Sequence, residues 1–320
     1  MRAQQTNADE VYQFLTLPYS AKSTSLGGIN ISSLRSDLGL AMYNPSLLDP
    51  SMDQKIHLSV KSYFSNIQQY DFSGAHYLPK KNWLLGWGLH YMGYGNIKMT
   101  DLSGNELGNF LANDYVAQVS VASLFIKNIN LGSTLKFIQS NYGAYQSSGV
   151  AMDLSMVYTS SSRLLRASIL ANNIGGQIKS YTDKQRLPLN IIMGVSKKLE
   201  NAPIEFSITA QRLSIWNNTL YDPSFYSQEG YKPPSTTQDI FNHIIIGAEA
   251  NIGQQVSLDF GYNFVRRFDL NIQNQQNWFN GFSAGLGIDL PRITIQYGNA
   301  FFQRNLYHHF SIFYSLKNER

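Results

Sequence analysis

The 320-residue chain contains no cysteine. That excludes disulfides, thiolate metal sites and cysteine nucleophiles. Charge is also scarce: 14% of residues are Asp, Glu, Lys or Arg, against about 25% in ordinary soluble domains. The net charge of +4 is small, and the basic residues form no tract, which removes support for nucleic-acid binding. Apolar runs are short; Ile244-Ile245-Ile246 is among the longest. A membrane helix needs about 20 consecutive apolar residues, so helical membrane spans are excluded. Met1-Arg2-Ala3-Gln4-Gln5 has no apolar leader core, and the start reads as that of a mature or trimmed chain, with cleavage near Ala3-Gln4.

Aromatics, by contrast, are plentiful at 13%, while the mean hydropathy is −0.23. A chain poor in charge, rich in aromatics and polar on average suits a sheet whose two faces differ, because alternation hides the apolar band in the mean. From Lys55 onward the sequence alternates with period two. Ile204, Phe206, Ile208 and Ala210 oppose Glu205, Ser207, Thr209 and Gln211. Trp83, Leu85, Trp87 and Leu89 likewise oppose Gly86 and Gly88. Each such run predicts a half-apolar strand.

Fourteen strands are expected, at about 55–65, 68–79, 82–95, 113–126, 129–142, 149–160, 163–173, 188–199, 203–214, 239–251, 255–268, 278–289, 291–302 and 305–317. Short turns at 79–81, 127–128, 160–162, 200–202, 253–254 and 290–291 alternate with mostly longer connections. That asymmetry belongs to outer-membrane barrels, whose periplasmic turns are short and whose outer loops are long. It does not suit a β-sandwich, and no blade repeat suggests a propeller. Backbone groups in lipid must pair within the protein, so a spanning sheet closes on itself. The expectation is therefore an all-β, fourteen-stranded antiparallel transmembrane barrel in the outer membrane of a Gram-negative bacterium.

Residues 11–52 lack this alternation. Asp37 can cap a short helix, and Asn44-Pro45 forms a second cap with proline at the first helical position. The expected layout is a tail (1–10), a hatch or plug (11–52) containing Asn44 and Pro45, a barrel (53–317) and a C-terminal tail (318–320).

Chemistry-bearing constellations are few. His308 and His309 are adjacent on a strand and point to opposite faces, so they cannot share a metal. Asp153, Glu205, Asp259, Lys136 and Arg166 read as ion pairs lining a polar lumen rather than an acid–base set. No Ser–His spacing marks a nucleophile. No enzyme, cofactor or metal site is expected. Two surface features stand out. Trp216, Tyr221, Phe225, Tyr226 and Tyr231 in loop 215–238 suit either a protein interface or a self-packed lid. Arg266, Arg267 and Arg304 at outer strand ends, with Lys179, Lys184 and Arg186 in another loop, suit contacts to lipopolysaccharide phosphates.

The segments FLTLPYSAKSTSLGG (14–28), LGLAMYNPSLLDP (38–50), GNELGNFLANDY (104–115), ANNIGGQIKSY (171–181) and LPLNIIMGVSKKL (187–199) resemble the PorQ family, outer-membrane components of the bacterial type IX secretion system. The likeness runs from about Val11 to Lys317. More distantly, the Asn44-Pro45 start looks like the FadL barrel superfamily, which includes PorV and has fourteen strands with an N-terminal plug. There the next position is commonly Ala. Here it is Ser46, so lipid transport is not carried over. The resemblance implies a non-catalytic anchor in an attachment complex, holding the surface protein PorZ beside PorV and the sortase PorU, which links cargo to anionic lipopolysaccharide. The alternatives are a FadL-like channel for hydrophobic molecules and, third, an outer-membrane hydrolase.

Overall fold

The computed structural model describes residues 10–215, 236–270, 279–302 and 305–317. Fourteen strands form one closed antiparallel barrel in chain order. They are β1 (Lys55–Ser62), β2 (Gln68–Leu78), β3 (Trp83–Thr100), β4 (Glu106–Ile126), β5 (Ile129–Tyr142), β6 (Tyr145–Thr159), β7 (Leu165–Lys179), β8 (Asn190–Lys198), β9 (Ile204–Ala210), β10 (Ile244–Ile252), β11 (Val256–Asn263), β12 (Phe282–Asp289), β13 (Ile293–Phe302) and β14 (Asn305–Ser315). The seam pairs β1 with β14, from Lys55↔Ser315 to Ser62↔His308.

Alternation decides which way each residue points. On β4, Tyr115 and Val119 are exposed outward, while Val116, Gln118 and Ser120 are buried inward. The exposed large apolar side chains form the outer surface, where lipid rather than water is the favourable surrounding. Among the described residues no helix is long and apolar enough to cross a membrane, so the spanning elements are the strands.

The core lies inside the barrel. Two short helices, α1 (Ala21–Ser25) and α2 (Leu38–Tyr43), with 3-10 turns at Gln13–Thr16, Pro45–Leu47 and Pro50–Met52, fill the lumen. The Ser20 side chain caps α1, Asp37 caps α2 and Asn44 caps the Pro45–Leu47 turn, each accepting from a backbone N–H. Leu38, Leu40, Met42, Leu47 and Leu48 pack against inward apolar wall residues such as Leu84, Val157, Leu170, Ile192 and Ile245. Those wall positions depart from the polar-in rule where the plug is greasy.

Several elements differ from the expected boundaries: β6 begins at Tyr145 and not 149, β7 runs past 173 to Lys179, a residue expected in the following loop, β9 ends at Ala210 and not 214, and β12 begins at Phe282 and not 278. β3 and β4 extend beyond 95 and 113 into a ribbon closed by a turn at 101–105, in which Asp101 accepts from the Ser103 and Asn105 N–H groups. Residues 239–241, expected as strand, belong to α3 (Thr236–Phe241). Residues 264–268, also expected as strand, form α4 (Phe264–Asp269), because the Asn263 side chain accepts from the Arg266 N–H and caps a helix there. Of the expected tails (1–10 and 318–320), residues 1–9 and 318–320 lie outside the described residues, while Glu10, expected as tail, forms a β-bridge with Arg186.

Candidate functional site

Inward-facing glycines let the plug sit against the wall. A Cβ at Gly132 would collide with the Ser46 nitrogen, and one at Gly298 would collide with the Ala21 carbonyl oxygen. At these two rungs the backbone itself is the contact surface. Asn44, fully buried, donates to the Ile31 carbonyl (2.7 Å) and to Ser168 of β7 (2.9 Å). The hatch residues Asn44 and Pro45 are thus placed where plug and wall touch.

Charge reinforces this seating. The Lys22 ammonium on α1 lies 2.6 Å from Glu249 of β10, both 2% exposed. Arg35 reaches the other Glu249 oxygen at 3.2 Å and pairs with Asp289 of β12. Ser25 donates to Asp259 of β11 at 3.0 Å. Burial acts against the Lys22 charge, but Glu249, with Asp259 and Asp37 behind it, outweighs burial and lifts its pKa above the ordinary lysine value. Elsewhere the plug hydrogen-bonds to β6, β8 and β9: Ser46 N–H to Ser155, Ser32 to Ser196, Asn30 to Ser207 and Leu34 N–H to Glu205. Facing the seam, Ala21 N–H donates to Ser311 and Thr24 bonds His309, both on β14. The wall is braced as well: Lys136 lies 2.7 Å from Asp153, with both side chains wholly buried and Asn172 and Asn173 completing the ammonium's shell.

These groups do not assemble catalytic geometry. Ser59 donates to Asp71 at 2.9 Å and lies 3.1 Å from His309 Nε2, whose other ring nitrogen bonds Thr24. The Asp71 carboxylate accepts from the hydroxyl and pairs through its other oxygen with His90 Nδ1 at 2.6 Å, while the ring beside the hydroxyl is that of His309, so no single histidine links carboxylate and hydroxyl as in a hydrolase triad. Among the described residues no three His, Asp or Glu side chains are placed to hold a metal ion.

At the long-loop end the plug leaves a cavity of about 320 Å³. Leu17, Ile29, Leu189 and Phe302 line it, with Glu10 also contributing to its wall. Three cationic residues line it, Lys61, Arg212 and Arg266. Lys61 is 3% exposed, lies 4.8 Å from the Tyr63 ring centre and makes no ion pair among the described residues. The Arg266 guanidinium donates to the Gly27 carbonyl, stacks 4.5 Å over Phe302, and leaves Nη1 without a hydrogen-bond partner among the described residues. Burial lowers the Arg266 pKa to about 10. The chemistry offered is a chamber of mixed apolar and polar lining in which cations outnumber the Glu10 carboxylate.

The other sequence-predicted site residues are dispersed. Arg266 points into the lumen, not to the outer surface where the lipopolysaccharide expectation put it, because capping by Asn263 turns the chain inward. Arg267 lies beside it on α4, half-buried. Lys184 and Arg186 lie in the β7–β8 loop, where the Arg186 carbonyl accepts from Val11 N–H. Trp216, Tyr221, Phe225, Tyr226, Tyr231 and Arg304 lie outside the described residues. Sequence reasoning missed Lys22, Arg35 and Lys61; only their isolation as charges in apolar or small-residue surroundings signals them.

The closed fourteen-strand antiparallel cylinder, apolar outside and filled by an N-terminal plug, shares its fold with solved outer-membrane β-barrels. Among solved structures the chain resembles the CymD monoaromatic hydrocarbon channel, with TM-score 0.61 and 12% identity over 97% of this chain and 100% of that one. It also resembles the Pseudomonas putida toluene transporter TodX, at 0.55 and 12% over 93% and 96%. A Pseudomonas aeruginosa FadL homologue matches at 0.55 and 8% over 93% and 98%. At such identities the likeness is one of fold. The sequence matches no protein-family model and no curated protein.

Proposed function

We propose that this chain is a non-conducting anchor of the outer membrane, with short turns in the periplasm and long loops outside, where they dock a surface protein. The carrying observation is the plug, tied on several sides to the wall by the Lys22–Glu249 pair, the Arg35 pairs and buried hydrogen bonds to β7, β8, β9 and β14. A channel that opens by moving its plug must break these together. The resemblance to the PorQ family supplies the setting: the type IX secretion attachment complex, with PorZ as the docked protein and PorV and the sortase PorU alongside. Two measurements test the reading. The purified barrel in a planar bilayer should show no stepwise ion conductance. Deleting residues 216–235 should release the surface partner from isolated outer membranes while the barrel stays; retention of the partner removes that loop from the docking site.

The second reading is a channel for hydrophobic molecules, and the cavity holding Lys61 and Arg266 favours it. Mass spectrometry of lipids carried through mild-detergent purification separates the two. A stoichiometric lipid lost on Lys61→Met would support passage of amphiphiles; a chamber without lipid supports the anchor.

A further inference from the structure

Charge is distributed unevenly between the two ends of the barrel. In the six short turns and the strand ends beside them, Lys80, Lys81, Lys127, Arg163, Lys197 and Lys198 are all exposed. Glu200 is the single acidic residue of those turns. The other carboxylates near that rim are engaged: Asp53 with His76 and Lys317, Asp289 with Arg35, and Asp49 with Ser36 and Ser51. At the long-loop end both signs are interspersed: Lys98 pairs with Glu106, and Asp101, Asp183 and Asp239 stand among Lys179, Lys184 and Arg186.

Some of the rim cations sit on the lipid side. Lys197 shares the outward face of β8 with Met193 and Val195, both exposed. Its register partners are Leu165 on β7 and Phe206 on β9, both outward and exposed. The ammonium is therefore held at the last rung of the apolar band. Lys81 repeats the arrangement, lying 5.5 Å from the ring centre of outward-facing Trp83. Beside Lys197 an open groove of about 740 Å³ runs between the β6–β7 and β8–β9 turns, lined by Leu165, Leu199, Ser160, Ser162, Lys197 and Lys198 among others, with Glu200 also in its wall. Neither Lys197 nor Lys198 makes an ion pair among the described residues.

We infer that this groove seats an anionic phospholipid of the leaflet at the short-turn end, its phosphate at outward-facing Lys197, with Lys198, the last residue of β8, at the rim of the same groove, and an acyl chain against Leu165 and Leu199. Charge complementarity selects this occupant. Cations at the edge of an apolar band meet headgroup phosphates, and their methylene stems lie along the acyl region while the ammonium stays at the interface. A neutral headgroup leaves two ammonium groups uncompensated. Glu200 in the wall offsets part of this charge and leaves the groove net positive. Assignment of that leaflet to the periplasmic side rests on the proposed orientation; the groove itself does not.

Native mass spectrometry of the full chain, released from mild detergent containing phosphatidylglycerol or phosphatidylcholine, tests the inference. One phosphatidylglycerol should be retained in preference to phosphatidylcholine. Each lysine near an anionic headgroup is worth roughly fivefold in affinity, so Lys197→Gln with Lys198→Gln should weaken retention roughly 30-fold. Lys184→Gln with Arg186→Gln, at the other end, should leave it unchanged. Equal retention of the two lipids, or undiminished phosphatidylglycerol on the Lys197/Lys198 variant, overturns the assignment. An SDS-resistant folded band for each variant separates loss of the site from loss of the barrel.

Discussion

Replacing Lys22 by Met tests whether charge holds the plug. The ammonium and Glu249 are 2.6 Å apart and almost inaccessible. Removing one member of a buried pair costs about 3–5 kcal/mol, because the survivor is stranded. Arg35, still 3.2 Å from the other Glu249 oxygen, places the expected loss at the lower end, about 3 kcal/mol. For a segment as small as the plug, the urea dependence is about 1 kcal/mol per molar. Release of the plug should then shift down by about 3 M urea, with the barrel intact. The absence of native cysteine makes a single reporter thiol specific. Ser33→Cys suits this role, since Ser33 is 1% exposed and its hydroxyl has no hydrogen-bond partner among the described residues. Maleimide capture of that thiol against urea reads plug exit, while heat-modifiable migration on gels reads the barrel. Adding Glu249→Gln closes a double-mutant cycle, expected to show strong coupling with Lys22→Met. Coincident labelling curves for Lys22→Met and its parent, or coupling near zero, would refute the argument that this pair anchors the plug.

Three further outcomes follow from the same geometry. Gly132→Val places side-chain atoms where the Ser46 backbone lies, so plug seating should lose at least about 1–3 kcal/mol and the thiol of the Ser33→Cys reporter should label at a urea concentration lower by about 1–3 M or more. Lys136→Met strands the Asp153 carboxylate in the wall and should cost the barrel about 3–5 kcal/mol, read as a lower urea midpoint of the heat-modifiable form. The pH dependence has a definite sign: a lysine whose folded pKa is raised contributes fully below the ordinary value of 10.5 and loses that contribution as pH rises through the folded value. Planar-bilayer conductance should accordingly remain silent from neutral pH up to the ordinary lysine value of 10.5 and appear only as pH rises through the higher folded value; openings that begin near neutrality would contradict the Lys22 assignment.

The barrel was legible because alternation is local. Ile204 to Ala210 announces both faces of β9 without knowledge of any neighbour, and the register of β9 with β10 places those residues as expected, whereas Gln211, expected to continue the strand, lies beyond it. Boundaries failed where a side chain overrode the period. Phe264 continues the β11 alternation in sequence, yet the Asn263 cap commits the following turn to a helix. Gly93 and Gly95 suggest that β3 ends, whereas the register shift between Gly93 and Asn96 lets the strand resume and pair Ile97 with Phe110. The lumen contacts were hidden for another reason. Lys22 and Glu249 are more than 200 positions apart, and nothing in the 21–25 segment indicates which of the inward carboxylates it will meet. Asp153, Glu205 and Asp259 were read as lumenal, and the structure places them there, but their partners needed the closed topology. Gly132 and Gly298 appeared only as small residues between larger ones, and their role becomes visible once the plug backbone lies against them.

The plug begins before β1, whereas the strand that completes the cylinder is the last, β14. Thr24 and Ala21 bond to His309 and Ser311 on that final strand, and α1 packs across β11 to β14. The segment made first is thus positioned to act as a mandrel around which the hoop is drawn shut. A polypeptide starting at Asp53 would have to zip its two ends together over an empty bore; in detergent it should gain heat-modifiable form more slowly than the whole chain, and equal rates would show that the sheet needs no such former.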